Sequence, residues 1–91
     1  MKISKGYTNV FEALEDNPAA AKNLKIRATL MRELEKFIQD SKLTQHAAAE
    51  VLGVSQPRVS DLVTGKINKF TIDMLVNMLT RVNISVDLKV A

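Results

Sequence analysis

A chain of 91 residues, 46% hydrophobic and 25% charged, is long enough for one domain with a modest core, too short for two of ordinary size, and too apolar for a disordered tail. It holds no cysteine, which excludes disulfides and thiolate metal sites and fits a reducing, cytoplasmic setting. Its net charge of +3 is compatible with a polyanionic partner but does not by itself require one.

The stretch up to Asn17 reads as an N-terminal arm. It is basic at Lys2 and Lys5 without the apolar run of a signal peptide, and Val10, Phe11, Ala13 and Leu14 are expected to pack locally before the Asn17-Pro18 breaker. From Pro18 onward Leu24, Leu30 or Met31, Leu34, and Phe37 or Ile38 recur at helical spacing, while Lys25, Arg32, Glu33 and Lys36 fill the other face. That pattern gives a long amphipathic first helix. Asn17 suits its N-cap, Pro18 its first position, where a missing N–H costs nothing, and Gln39-Asp40-Ser41-Lys42 its end. A second helix is expected behind a Thr44 cap, running to Leu52 before Gly53. A third follows Ser55, with Pro57 in its first turn, and ends near Thr64-Gly65.

After a basic polar loop over residues 66–69, Thr71 caps a fourth helix in which Ile72, Leu75, Val76, Leu79 and Val82 form one stripe, and Asn83 suits a left-handed stop. The period then changes. Ile84, Val86, Leu88 and Val90 alternate with Ser85, Asp87 and Lys89, the repeat of a half-buried strand. The expected architecture is an all-α helical bundle over residues 18–83, flanked by the arm (residues 1–17) and a short C-terminal β-strand (residues 84–91). A lone strand has no edge to pair with, so this one is expected to join the same strand of a second subunit in a homodimer.

Residues 45–63 carry the pattern of a helix-turn-helix. Two short helices that cross steeply need a small contact residue, a tight turn and apolar anchors. Ala49 stands at the close approach, Gly53 offers a turn residue free to take a positive φ, and Ala48, Leu52, Val54, Val59 and Leu62 fill the buried positions. An ordinary helical hairpin would share those features. It would not need the outward face of the third helix, where Ser55, Gln56, Pro57, Arg58 and Ser60 gather polar groups at the N-terminal end, the end that a recognition helix presents to base edges. A Gln amide can bond adenine N6 and N7 as a bidentate pair, and an Arg guanidinium can do the same to guanine O6 and N7. Lys66, Asn68 and Lys69 follow, either as a solvated loop or, taken together, as phosphate contacts. Asp61, one turn beyond Arg58, either orients that arginine or keeps the helix surface soluble.

The run Leu43-Thr44-Gln45-His46-Ala47-Ala48-Ala49-Glu50-Val51-Leu52-Gly53-Val54-Ser55-Gln56-Pro57-Arg58-Val59-Ser60-Asp61-Leu62-Val63-Thr64-Gly65-Lys66 resembles the lambda-repressor and Cro-like family, often called XRE. Ser55-Gln56-Pro57-Arg58-Val59-Ser60, with Asn9-Val10-Phe11 and the alternating tail, is similar more particularly to the short HigA-type antitoxins. The resemblance implies a lambda-repressor-like DNA-binding domain. Within it, Gln45 holds the sugar-phosphate backbone and buttresses the first residue of the recognition helix, and Gln56 takes the position that most often reads a base. Lys66, Asn68 and Lys69 lie in the loop that the family lays against the backbone. Pro57 departs from the more usual polar residue and leaves apolar contact with a thymine methyl. The implied function is a sequence-specific repressor of double-stranded DNA, dimeric on a palindromic operator, of the autoregulatory antitoxin type. The alternative is a module that neutralises a cognate toxin, an mRNA-cleaving enzyme, with DNA binding secondary.

Other chemistries find little footing. His46 is the only histidine, and its pairing with Glu50 four residues on reads as surface electrostatics, since no second histidine or cysteine completes a metal site. No phosphate loop, nucleophile elbow or paired-carboxylate constellation is present. The expectation is therefore a protein that is not an enzyme and carries no cofactor. No apolar stretch approaches the ~20 residues of a membrane span. Met31, Met74 and Met78 read as gap-fillers of the core, and Tyr7 and Phe11 are too few to make a stacking platform for single strands.

Overall fold

The computed structural model describes residues 17–91; the arm over residues 1–16, with the local packing expected of Val10, Phe11, Ala13 and Leu14, lies outside the described residues. Among those described, four α-helices and one short 3-10 turn follow in order: α1 Pro18–Asp40, α2 Gln45–Leu52, α3 Gln56–Val63, the turn Ile67–Lys69, and α4 Ile72–Arg81.

Every helix starts in the same manner. Asn17, Thr44, Ser55 and Thr71 hold extended backbone. Their side-chain oxygens accept from the amides of Ala20 at 3.0 Å, Ala47 at 3.1 Å, Arg58 at 3.3 Å and Met74 at 3.2 Å. One orphan N–H of each first turn is thereby satisfied. Leu43, Val54 and Phe70 stand just before the three later caps, and Ala48, Val59 and Leu75 four residues after them; all six lie in or against the core. These are the positions of a hydrophobic staple, which fixes the angle at which the chain joins each helix.

The endings are shared too. Lys42, Gly53, Gly65 and Asn83 take positive φ values of 54°, 70°, 73° and 62°. The next amide in each case reaches back to a carbonyl five residues earlier: Leu43 to Ile38 at 3.1 Å, Val54 to Ala49 at 3.1 Å, Lys66 to Asp61 at 2.9 Å and Ile84 to Leu79 at 3.0 Å. This Schellman closure satisfies carbonyls that a helix end leaves open. Gly53 and Asn83 fit the expectation. Lys42 does not announce itself in sequence, because its side chain disfavours the left-handed region that its position in the closure imposes.

α1 packs along α4, and α2 against both α3 and α4. Leu30, Met31, Leu34 and Ile38 of α1 meet Ala48, Ala49 and Leu52 of α2, Val59 and Leu62 of α3, and Leu75, Met78 and Leu79 of α4 in one cluster. Where the periodicity left a choice, Leu30 and Met31 are both buried, and Ile38 is buried while Phe37 is half-buried. Phe70 joins this cluster at 2% exposure. It belongs to no stripe, and its only sequence signal is its place ahead of the Thr71 cap.

The tail departs from the expected β-strand: residues 84–91 form no regular structure. Ile84 is drawn into the closure of α4 and packs against the core, whereas Val86, Leu88 and Val90 are 39%, 85% and 81% exposed. A strand must bond its N–H and C=O groups to an edge, and the described residues of a single chain, being helical, offer none. Among the described residues no helix is long and apolar enough to cross a membrane.

Candidate nucleic-acid interface

The geometry of the candidate interface begins with what α3 buries. Val59 and Leu62 are fully inaccessible, and so is Ala48 on the facing helix. Small side chains at Ala48 and Ala49 let α2 and α3 close on one another, while Gly53 turns the chain between them. A Cβ at Gly53 would overlap the flexible end of the exposed Arg81 side chain, so the neighbour over the turn comes from the end of α4 and not from the α2–α3 crossing, and what restricts this position is its left-handed backbone. With its inner face anchored, α3 leaves Ser55, Gln56 and Pro57 exposed at its start and Ser60, one turn on from Gln56, half-buried. Gln45 is exposed at the first position of α2, as Gln56 is at the first position of α3. Both amides therefore stand at helix ends whose free N–H groups and positive dipole favour anionic groups.

Arg58 is placed differently from its neighbours. Its Nη1 donates to the carbonyl of Lys69 at 2.8 Å, lies 3.8 Å from the Asp61 carboxylate, and its guanidinium sits over the Phe70 ring at 5.6 Å from the centroid. The pair with Asp61 open to it in sequence is thus present. The same carboxylate lies 3.8 Å from the ammonium of Lys66. A second arginine, Arg27 of α1, reaches this loop as well: its Nη1 donates to the carbonyls of Ile67 at 3.1 Å and Phe70 at 3.4 Å, and its Nε to the Asn23 side chain at 2.7 Å. Sequence reasoning missed Arg27, which is 40 positions from its carbonyl partner Ile67, a separation that no local pattern reports. While these groups hold the backbone, the side chains of Lys66, Asn68 and Lys69 remain exposed.

Two features lie apart from this surface. His46 and Glu50 form a pair at 3.2 Å with both side chains largely in solvent, the weak, screened kind. The Asp73 carboxyl is held below its ordinary 3.8, chiefly by the Thr71 hydroxyl and also by the amides of Asp73 and Met74, all at the start of α4.

A family model described as a helix-turn-helix domain matches residues 13–91. The chain belongs to this helix-turn-helix family. No curated protein matches it. In this helix-turn-helix protein α2 and α3 are two short helices joined through Gly53 and packed on one another, with α1 and α4 against them. A helix-turn-helix domain is a DNA-binding regulatory unit.

Proposed function

We propose that this protein is a sequence-specific repressor of the lambda-repressor and Cro-like (XRE) kind, akin to the HigA-type antitoxins. It binds a palindromic operator in double-stranded DNA as a cytoplasmic homodimer and represses its own operon. The observation that carries this reading is the two-sidedness of α3, with Val59 and Leu62 fully buried and Ser55, Gln56 and Pro57 in solvent at its first turn. A helix anchored in this way can enter a major groove without giving up core. Gln56 reads base edges, aided by Ser55, Pro57 and Ser60. Gln45, Lys66, Asn68 and Lys69 hold phosphates and set the register. Arg58, named with these residues from sequence, supports the surface through the Lys69 carbonyl and the Phe70 ring.

Residues 18–83 form the DNA-binding unit, with the arm (residues 1–17) before it and the dimerisation segment (residues 84–91) after it. The exposed, alternating apolar residues Val86, Leu88 and Val90 support pairing with a second copy, since antiparallel strands across a two-fold axis supply each other's missing edge. The same residues would suit a toxin protein, the second reading. Deleting residues 85–91, which spares Ile84 for the closure of α4, separates them. Sedimentation should then show a monomer with weakened operator binding; a truncated protein that stays dimeric removes the tail from dimerisation.

Binding isotherms on operator and scrambled duplexes at several salt concentrations test the DNA reading. Gln56→Ala should lower the preference for operator by about 1–3 kcal/mol, whereas Lys66→Ala or Lys69→Ala should weaken both duplexes alike and reduce the salt slope by about one. A Gln56→Ala protein with the parent's preference would take α3 out of base reading.

A further inference from the structure

The loop that follows α3 is short, polar and carries no apolar side chain of its own deeper than the half-buried Ile67 until Phe70 closes it. Three of its four carbonyls from residue 67 to residue 70 nevertheless have a charged donor. Arg27 spans Ile67 and Phe70 from α1, and Arg58 takes Lys69 from α3 while lying over the Phe70 ring. Hydrogen bonds from a guanidinium are charge-assisted and roughly twice as strong as neutral ones, and Arg27 uses two nitrogens, Nη1 for both loop carbonyls and Nε for Asn23, where a lysine has only one. Both forks are themselves aimed: Asn23 accepts from Nε of Arg27 at 2.7 Å, and Asp61 flanks Arg58 at 3.8 Å.

We infer that Arg27 and Arg58 are positioning residues that fix the backbone of residues 67–70 against α1 and α3. This holds Lys66, Asn68 and Lys69 at a set distance from the bases that Gln56 reads. The inference rests on the DNA-binding reading above and deepens it. It gives Arg58 a role other than the guanine contact open to it in sequence, because its guanidinium is turned onto the loop, with Nη1 bonded to the Lys69 carbonyl at 2.8 Å and the group lying over the Phe70 ring. It also gives α1, far from Gln56 in sequence, an indirect part in phosphate contact, through the loop that Arg27 fastens. A loop held in place before binding loses less freedom on binding, so the arginines act on affinity through order and not through contact.

A double-mutant cycle in the full-length protein tests this, with a duplex carrying the selected operator and a scrambled duplex as probes, and with thermal unfolding followed in parallel. Arg27→Ala and Arg58→Ala should each weaken both duplexes several-fold, leave the ratio between them unchanged and lower the salt slope by about one. In a background carrying Lys66→Ala, Asn68→Ala and Lys69→Ala neither should have any further effect, since the side chains they position are gone. Arg27→Lys keeps the charge but not the fork, and should resemble Arg27→Ala; it also serves if the alanine variant does not fold. A slope and affinity equal to the parent's in Arg27→Lys and Arg58→Ala would overturn the inference. So would full additivity with these loop substitutions, or a lost operator preference in Arg58→Ala. A parent protein that binds neither duplex overturns the DNA reading itself, and the inference with it; a parent that binds, with variants that behave otherwise than stated, overturns the inference alone.

Discussion

The chain reaches α3 and leaves it by two connections built on different principles. Both pass through a left-handed glycine, Gly53 at φ 70° and Gly65 at φ 73°, and both close the helix behind them with the same backbone bond. Beyond that they diverge. The first connection is over within Gly53, Val54 and Ser55, with Val54 packed against the core and Arg81 lying over the glycine. The second leaves open space around Gly65, runs on through exposed Lys66, Asn68 and Lys69, and is fastened by two arginines and one buried ring. The first fixes one helix against another and needs apolar surface to do so. The second must show Lys66 and Lys69 to solvent, so of its own side chains only Ile67 and Phe70 turn inward, and its carbonyls carry the rest of the attachment.

The largest expected effect falls on the anchor of the second connection. Phe70→Ala removes a ring that is 2% exposed and should cost about 3–5 kcal/mol of stability in urea unfolding, whereas Val54→Ala, at a half-buried site in the first connection, should cost about 1–2 kcal/mol. Equal losses would mean that the second loop hangs free of the core. Next come the two glycines. Gly53→Val should destabilise by about 1–3 kcal/mol, and Gly53→Ala and Gly65→Ala by about 1–2 kcal/mol each for the left-handed backbone. Any excess at Gly53 comes from Arg81, and Arg81→Ala should abolish it. If alanine at Gly53 unfolds at the parent's temperature, the left-handed backbone there carries no strain for a side chain.

The smallest expected effect lies just past the second connection, at the start of α4. The Asp73 carboxyl is held below 3.8 in the folded protein, so its ionised form favours folding at pH values above that, and the contribution disappears as pH falls through the lower folded value. Thermal unfolding in acid should therefore show the parent losing slightly more stability than Asp73→Asn over that window. Identical acid profiles would mean that the Thr71 hydroxyl does not hold the carboxylate.

Much of this division is legible in the sequence, for a reason particular residues make plain. Asn17, Thr44, Ser55 and Thr71 act on amides three positions away, and Leu52-Gly53-Val54 encodes its turn within three residues, so composition and spacing suffice. Phe70 is a single aromatic in a polar run, and burial of an isolated residue leaves no periodicity to detect. Arg27 reads as one more cation on a charged helix, because its partners are backbone carbonyls brought near only by the packing of α1. The tail shows the opposite failure. Its alternation from Ile84 to Val90 is a true strand pattern, but a pattern names a side-chain face and does not supply a partner edge.

Selection of bound duplexes from a random pool by the full-length protein, followed by sequencing, tests the central claim most directly. Enrichment of a two-fold symmetric site, with half-sites about 34 Å apart on one face of the duplex, is the expected result. A pool that stays random in the presence of the folded protein would contradict it.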